Sequence, residues 1–136
     1  MFWILKTEPT VWSWQQQLMK HVTTWDDIRN YQARNYLRTM NIGDLCFFYH
    51  TEKERSIVGI VEIVKTAYND PLDDNFSVVD VQTKISLSNA VHLSTIKATE
   101  ELKNLAIIKQ PRLSVSPLNT EEFNKIIELS NTSFTL

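Results

Sequence analysis

The chain has 136 residues, 43% of them hydrophobic and 22% charged, with a net charge of −2 and a pI near 5.9. That length fits one domain, residues 1–136, with room for a buried core, and the acidic balance excludes a protein that coats nucleic acid through bulk positive charge. One cysteine excludes an intrachain disulfide and a multi-thiolate zinc site, and two glycines exclude a Gly-rich phosphate loop.

Met1 to Leu5 is a predicted strand. It ends in Lys6-Thr7-Glu8-Pro9, because Pro9 cannot donate to a ladder and biases Glu8 toward extended geometry. This opening has no basic n-region and meets charge too early for a signal peptide, and no apolar run nears the ~20 residues of a membrane span. A cytoplasmic location without a membrane partner is the expectation. Residues 13–20 suit a short helix capped by Ser13, and Trp25 to Arg29 suit irregular backbone.

From Asn30 the pattern turns helical. Ala33, Leu37 and Met40 recur at i, i+4, i+7 and make an apolar stripe, while Tyr31, Arg34, Asn35 and Arg38 share another side. Gly43 suits the positive φ of the turn that follows. Three strands rich in Val, Ile, Phe and Tyr come next, at Leu45–Tyr49, Ile57–Lys65 and Phe76–Lys84, joined by polar loops at 50–56 and 66–75. The second loop carries Asp70-Pro71 and lacks the alternating ligand spacing of a calcium loop, so a solvated turn is expected.

Residues 94–108 suit one or two short helices, Leu113–Val115 a last strand, and Asn119 with Glu122 a capping box opening a final helix. The order β-α-α-βββ-α-β-α suggests an α+β domain built on a curved sheet or small barrel.

Catalysis finds little support. There is no HxE with PCxxC and no HExxH, and His21, His50 and His92 stand apart. Cys46 lies in the apolar run LCFFY, which suits a buried inert thiol. Neither a catalytic residue nor a metal site is expected. Binding has a stronger signal in WDDIRNYQARNYLR, residues 25–38. Trp25, Tyr31 and Tyr36 alternate there with Arg29, Arg34 and Arg38, and Asn30, Gln32 and Asn35 fall between them. Three of the five arginines lie in this stretch. Aromatic faces and guanidinium groups stack on bases, carboxamides pair with base edges and arginine grips phosphate. The composition alone equally suits a helix with a solvated basic face. In Phe47-Phe48-Tyr49-His50, alternation puts Phe47 and Tyr49 on one side and Phe48 and His50 on the other. One set would be core and the other a pocket wall.

Taken in order, Trp3-x-x-Lys6-Thr7-Glu8-Pro9, Trp25-Asp26-x-Ile28-Arg29-Asn30-Tyr31-Gln32-Ala33-Arg34-Asn35, Gly43-Asp44, Phe48-Tyr49-His50, Ile57-Val58-Gly59 and Arg112-Leu113-Ser114-Val115-x-Pro117 closely resemble the EVE domain family. The resemblance runs from residue 2 to about 129. It implies a PUA-like fold related to the YTH domain: a small, mostly antiparallel β-barrel flanked by short helices. It also implies a non-catalytic, cofactor-free, monomeric module that takes a flipped modified base, modified cytosine in DNA ahead of RNA. The alternatives are a PUA-like RNA-binding module and, behind it, an enzyme or subunit acting on a modified nucleoside. By the same resemblance the base pocket draws on Lys6, Thr7, Glu8, Trp25, Asn30, Tyr31, Gln32, Asn35, Phe48, Tyr49, His50 and Ser114, and phosphate on Arg29, Arg34 and Arg112. Departures from the family pattern fall in the 50–57 loop, the short 66–76 connection and Pro111.

Overall fold

The computed structural model describes residues 1–135. Six strands form one mixed sheet, β1 (Phe2–Thr7), β2 (Val22–Trp25), β3 (Leu45–His50), β4 (Ser56–Asp70), β5 (Asp73–His92) and β6 (Val115–Leu118), in the order β2-β5-β4-β3-β1-β6. Only the β1–β3 pair is parallel. The long β4–β5 hairpin slips register repeatedly, at Ile57/Gly59, Ile60/Val61, Ile63/Lys65, Lys65/Tyr68 and Asn69/Asp70. Each slip bends and twists the strands, which curls the sheet.

Helices cover both faces. α1 (Trp14–Lys20) and α2 (Tyr31–Thr39) lie over one core, which gathers Trp3, Leu5, Trp14, Trp25, Leu37, Cys46, Phe48 and Val115. On the other side α3 (Leu93–Ala98), α4 (Ala106–Lys109) and α5 (Thr120–Leu129) pack with Ile4, Phe47, Tyr49, Ile57, Ile96 and Phe123. β3 therefore alternates between two cores rather than between core and pocket wall, and all six of its residues are buried. A central strand covered on both faces has no solvent side.

The local signals for the helices hold. Ser13 and Asn119 each make a capping box, with Gln16 and Glu122. Ala33, Leu37 and Met40 are buried as the stripe of α2. Gly43 carries φ +93° at the turn into β3, beside buried Asp44, whose Oδ2 accepts from Trp3 Nε1 at 3.0 Å and Asn41 N at 2.9 Å.

Three expectations need correction. Residues 66–75 are no loop, because β4 and β5 run through them and leave only Pro71 and Leu72 as the turn. The aspartates there serve that turn: Asp70 accepts from Leu72 N at 2.8 Å and Asp73 from Asn75 N at 3.0 Å. β2 is a strand where none was expected. The last strand begins at Val115, two residues later than predicted.

Candidate nucleic-acid interface

β2 and β6 are the two ends of the sheet order, yet residues from β2 and from the β1–β6 end line one cleft of about 530 Å³. The sheet thus curls until its ends approach, and the cleft is the gap that remains. The β2 side supplies Val22 to Trp25 and then Asp26, Asp27 and Ile28. The opposite side supplies Lys6, Thr7, Glu8 and Ser114, and the approach to α1 adds Val11 and Trp12, with Lys20 from its end. The volume falls in the ordinary range for small-ligand sites.

Each wall is held by bonds the sequence does not advertise. Thr83 N donates to His21 O at 2.8 Å, so the His21 carbonyl and the peptide groups of residues 23 and 25 face β5. The peptide groups of Val22 and Thr24 consequently point off the free edge of the sheet toward the cleft. Thr23 Oγ1 is buried without a hydrogen-bond partner. Trp12 Nε1 donates to Oε1 of fully buried Gln17 at 2.9 Å, and Gln17 Nε2 donates to His21 O at 2.9 Å and Thr83 Oγ1 at 3.2 Å. This chain of bonds fixes the half-buried Trp12 ring relative to the start of β2. Trp25 is 5% exposed and stands edge-on to Phe48, with centroids 5.5 Å apart.

On the opposite wall Lys6 N donates to Ser114 O at 2.9 Å, and the Lys6 ammonium donates to the Pro111 carbonyl. Burial holds its pKa below that of a free lysine. The Thr7 hydroxyl donates to Trp12 O at 3.3 Å. Glu8 O accepts from the backbone of Val11 and Trp12, closing the turn that brings Trp12 to the cleft.

The structure brings Lys6, Thr7, Glu8, Trp25 and Ser114 together on this cleft. It places the other expected residues elsewhere. Phe48 and Tyr49 are core side chains of the two faces. His50 is buried, and its Nε2 accepts the Trp14 N–H at 2.9 Å. Glu54 Oε2 lies 3.2 Å from Nδ1 but off the direction of its N–H, which leaves that nitrogen without a hydrogen bond. Asn30 caps α2 by accepting from Ala33 N at 2.9 Å.

Tyr31 stacks on Phe76 at 5.2 Å with the Arg34 guanidinium 4.6 Å from its ring. Arg34 donates to Asn75 O and to Asn35 Oδ1. Arg29 pairs with buried Asp70 at 3.0 Å and lies 5.1 Å from the Phe76 ring, and Arg38 donates to Ser77 Oγ. These arginines clamp α2 to the β4–β5 hairpin and are not on the cleft. Gln32 and Arg112 line a separate depression of about 340 Å³ with Asn30, Gln110, Pro111 and Leu113. It adjoins the cleft through the Lys6–Pro111 bond.

Sequence reasoning missed Trp12, β2, Lys20 and the cleft positions of Asp26 and Asp27. The Thr-Thr-Trp alternation before Asp26 was the available signal, but four residues between two turns are too few to establish a period. Among the described residues no group of three or more His, Cys, Asp or Glu side chains could hold a metal ion, and no helix is long and apolar enough to cross a membrane.

A curled mixed sheet with helices on both faces and a cleft between its ends defines a PUA-like α+β module. The model of the EVE domain matches residues 1–129, and this chain belongs to that family. It is 37% identical over 135 residues to thymocyte nuclear protein 1 of Homo sapiens, covering 81% of this chain and 60% of that protein. The chain thus spans less than two thirds of this relative's length. Among solved structures, Rpa0253 from Rhodopseudomonas palustris aligns with a TM-score of 0.91 and 37% identity, over 96% of this chain and 92% of that one. Human THYN1 protein, in a crystal structure with 5-methylcytosine-containing DNA, aligns with a TM-score of 0.84 and 30% identity, over 97% and 98%.

Proposed function

We propose that this chain is a non-catalytic reader of modified DNA that takes a flipped base, modified cytosine first, into the cleft between β2 and the β1–β6 end. The observation that carries the reading is the cleft itself. It is large enough to admit a base, flanked by Trp12 and Trp25, and edged by the unpaired peptide groups of Val22 and Thr24. The human relative crystallised with 5-methylcytosine-containing DNA supports the choice of ligand.

Flipping a base costs a few kcal/mol, and least when the base is already unpaired. Stacking on one aromatic returns ~1–3 kcal/mol. Trp12 offers the freer ring face, whereas Trp25, sunk against Phe48, offers an edge or a rim. Burying the modifying methyl adds ~0.8 kcal/mol, which alone gives only several-fold selectivity. Polar contacts from Thr7, Ser114, Thr23 and the β2 edge would supply the rest. Arg112 keeps the phosphate role and Lys20 joins it in place of Arg29 and Arg34, because those two are committed to the hairpin. In a cell with a nucleus such a reader works there, as the name of the thymocyte relatives has it, rather than in the cytoplasm.

Titration of labelled oligonucleotides with and without 5-methylcytosine, in DNA and in RNA, tests the reading. The wild type is expected to favour modified DNA, and Trp12→Ala to weaken that binding about tenfold while the protein stays folded. A preference for RNA would move the function to the alternative module. Equal weak binding of every oligonucleotide by both proteins would sink the modified-base reading.

A further inference from the structure

Gln17, in the middle of α1, is 0% exposed. An interior position of this kind takes an apolar side chain at less cost, so a carboxamide there stands or falls by its bonds. Its Oε1 accepts from Trp12 Nε1 at 2.9 Å, and its Nε2 donates to His21 O at 2.9 Å and Thr83 Oγ1 at 3.2 Å. An indole nitrogen only donates and a carbonyl only accepts, so the amide is oriented from both ends. Turned over, it would set donor against donor at Trp12 and acceptor against acceptor at His21.

The two ends of the amide serve different purposes. Nε2 staples the turn from α1 into β2, where His21 caps the helix at φ +72°. That turn has other ties, since His21 N donates to Gln17 O at 2.8 Å and Thr83 N to His21 O at 2.8 Å. Oε1 has Trp12 Nε1 as its one partner among the described residues, and the turn does not use it. The ring does. The Trp12 backbone is already fixed, because Glu8 O accepts its N–H at 2.9 Å and the Thr7 hydroxyl donates to its carbonyl at 3.3 Å. What remains free is the rotation of a half-buried indole at the cleft, and the bond to Gln17 removes it.

Resting on the base-cleft reading above, we propose that Gln17 is the positioning residue of the cleft, which holds the Trp12 ring in place against the β2 wall before a base arrives. A ring ordered in advance loses no rotamer freedom on binding, so the bond appears as affinity. It does not appear as selectivity. The one polar atom of the ring is spent on the interior, and a bare aromatic face stacks on any base.

Gln17→Met keeps the length of the side chain and removes both polar atoms. It is expected to weaken binding of labelled oligonucleotides with and without 5-methylcytosine by the same factor, about three- to tenfold, with their ratio unchanged. Replacing Trp12 by 3-benzothienylalanine keeps the double ring and puts sulfur where the N–H stood. This protein should show the same loss, and adding Gln17→Met to it should change affinity by less than about 1.5-fold, because the two changes break one bond.

An equal loss from Gln17→Met in both backgrounds would make Gln17 a support of the fold alone and overturn the assignment. So would full affinity in the Gln17→Met protein, or a changed ratio between the two oligonucleotides. If Gln17→Met does not fold, the benzothienylalanine protein decides by itself, and wild-type affinity there overturns the assignment. Loss of binding in Trp12→Ala leaves the base cleft standing in each of these cases. A Trp12→Ala protein that binds as wild type does removes the stacking role of Trp12 and the assignment with it.

Discussion

At the scale of single residues, the tightest constraint is a missing side chain. Gly59 sits in β4 where the register with β5 slips, and a methyl group added there would overlap the Trp14 indole ring. The absent Cβ lets Trp14 lie flat on the strand, where its Nε1 donates to Ser86 Oγ at 2.8 Å and its ring meets Phe48. The same residue begins α1 and donates its backbone N–H to His50. Gly59→Ala is therefore expected to displace the ring and to destabilise the fold by about 1–3 kcal/mol, the usual cost of overpacking a core. Urea unfolding measures it directly. A variant within 0.5 kcal/mol of wild type would mean that α1 shifts at no cost.

At the scale of elements, the helix-hairpin clamp explains what the sequence concealed. The stripe of α2, the Ser13 cap and the capping box at Asn119 depend on neighbours three or four residues away and were legible, whereas Asn30, expected in the base pocket, serves as the cap of α2. The purpose of Arg29, Tyr31 and Arg34 was not legible, because their partners Asp70, Phe76 and Asn75 are about forty residues distant. Rings and guanidinium groups that suit a base stack equally well on a hairpin, and composition cannot separate the two uses. Asp70 gives this clamp a pH signature. Its carboxyl is held below the ordinary value of 3.8 by the Leu72 amide above all, with burial acting in the opposite sense and the Arg29 guanidinium adding to the lowering. A depressed carboxyl contributes stability that is whole above its unfolded pKa and is lost as pH falls through the folded one. The stability gap between wild type and Asp70→Asn should accordingly be constant at neutral pH and shrink below pH 3.8. Urea midpoints of the two proteins across that range check it, and a gap independent of pH would assign the stabilisation to shape alone.

At the scale of the whole molecule, topology rather than any motif makes the cleft. A sheet whose order begins at β2 and ends at β6 presents Trp25 and Ser114 to one space only because the β4–β5 slips curl it. Alternation predicts strands and not their curvature, so the opening Lys6-Thr7-Glu8 could be placed at a pocket only through family resemblance, and Trp12 and β2 not at all. The molecule carries a net charge of −2, and its cleft holds acids. Three of its five arginines lie in the 29–38 segment, and each is bonded to the β4–β5 hairpin. The cations left near the site for phosphate are Lys20 on the cleft and Arg112 in the adjoining depression. Each neutralised phosphate contributes about −0.9 to the slope of log K against log salt on duplex DNA, so two contacts give a slope near −2. Binding at a series of salt concentrations should follow that shallow line, and Arg112→Gln should flatten it by about one unit while leaving the preference for the modified base unchanged. A slope of −5 or steeper would mean that the duplex is held along a broad basic surface, and the cleft would then be incidental to its affinity.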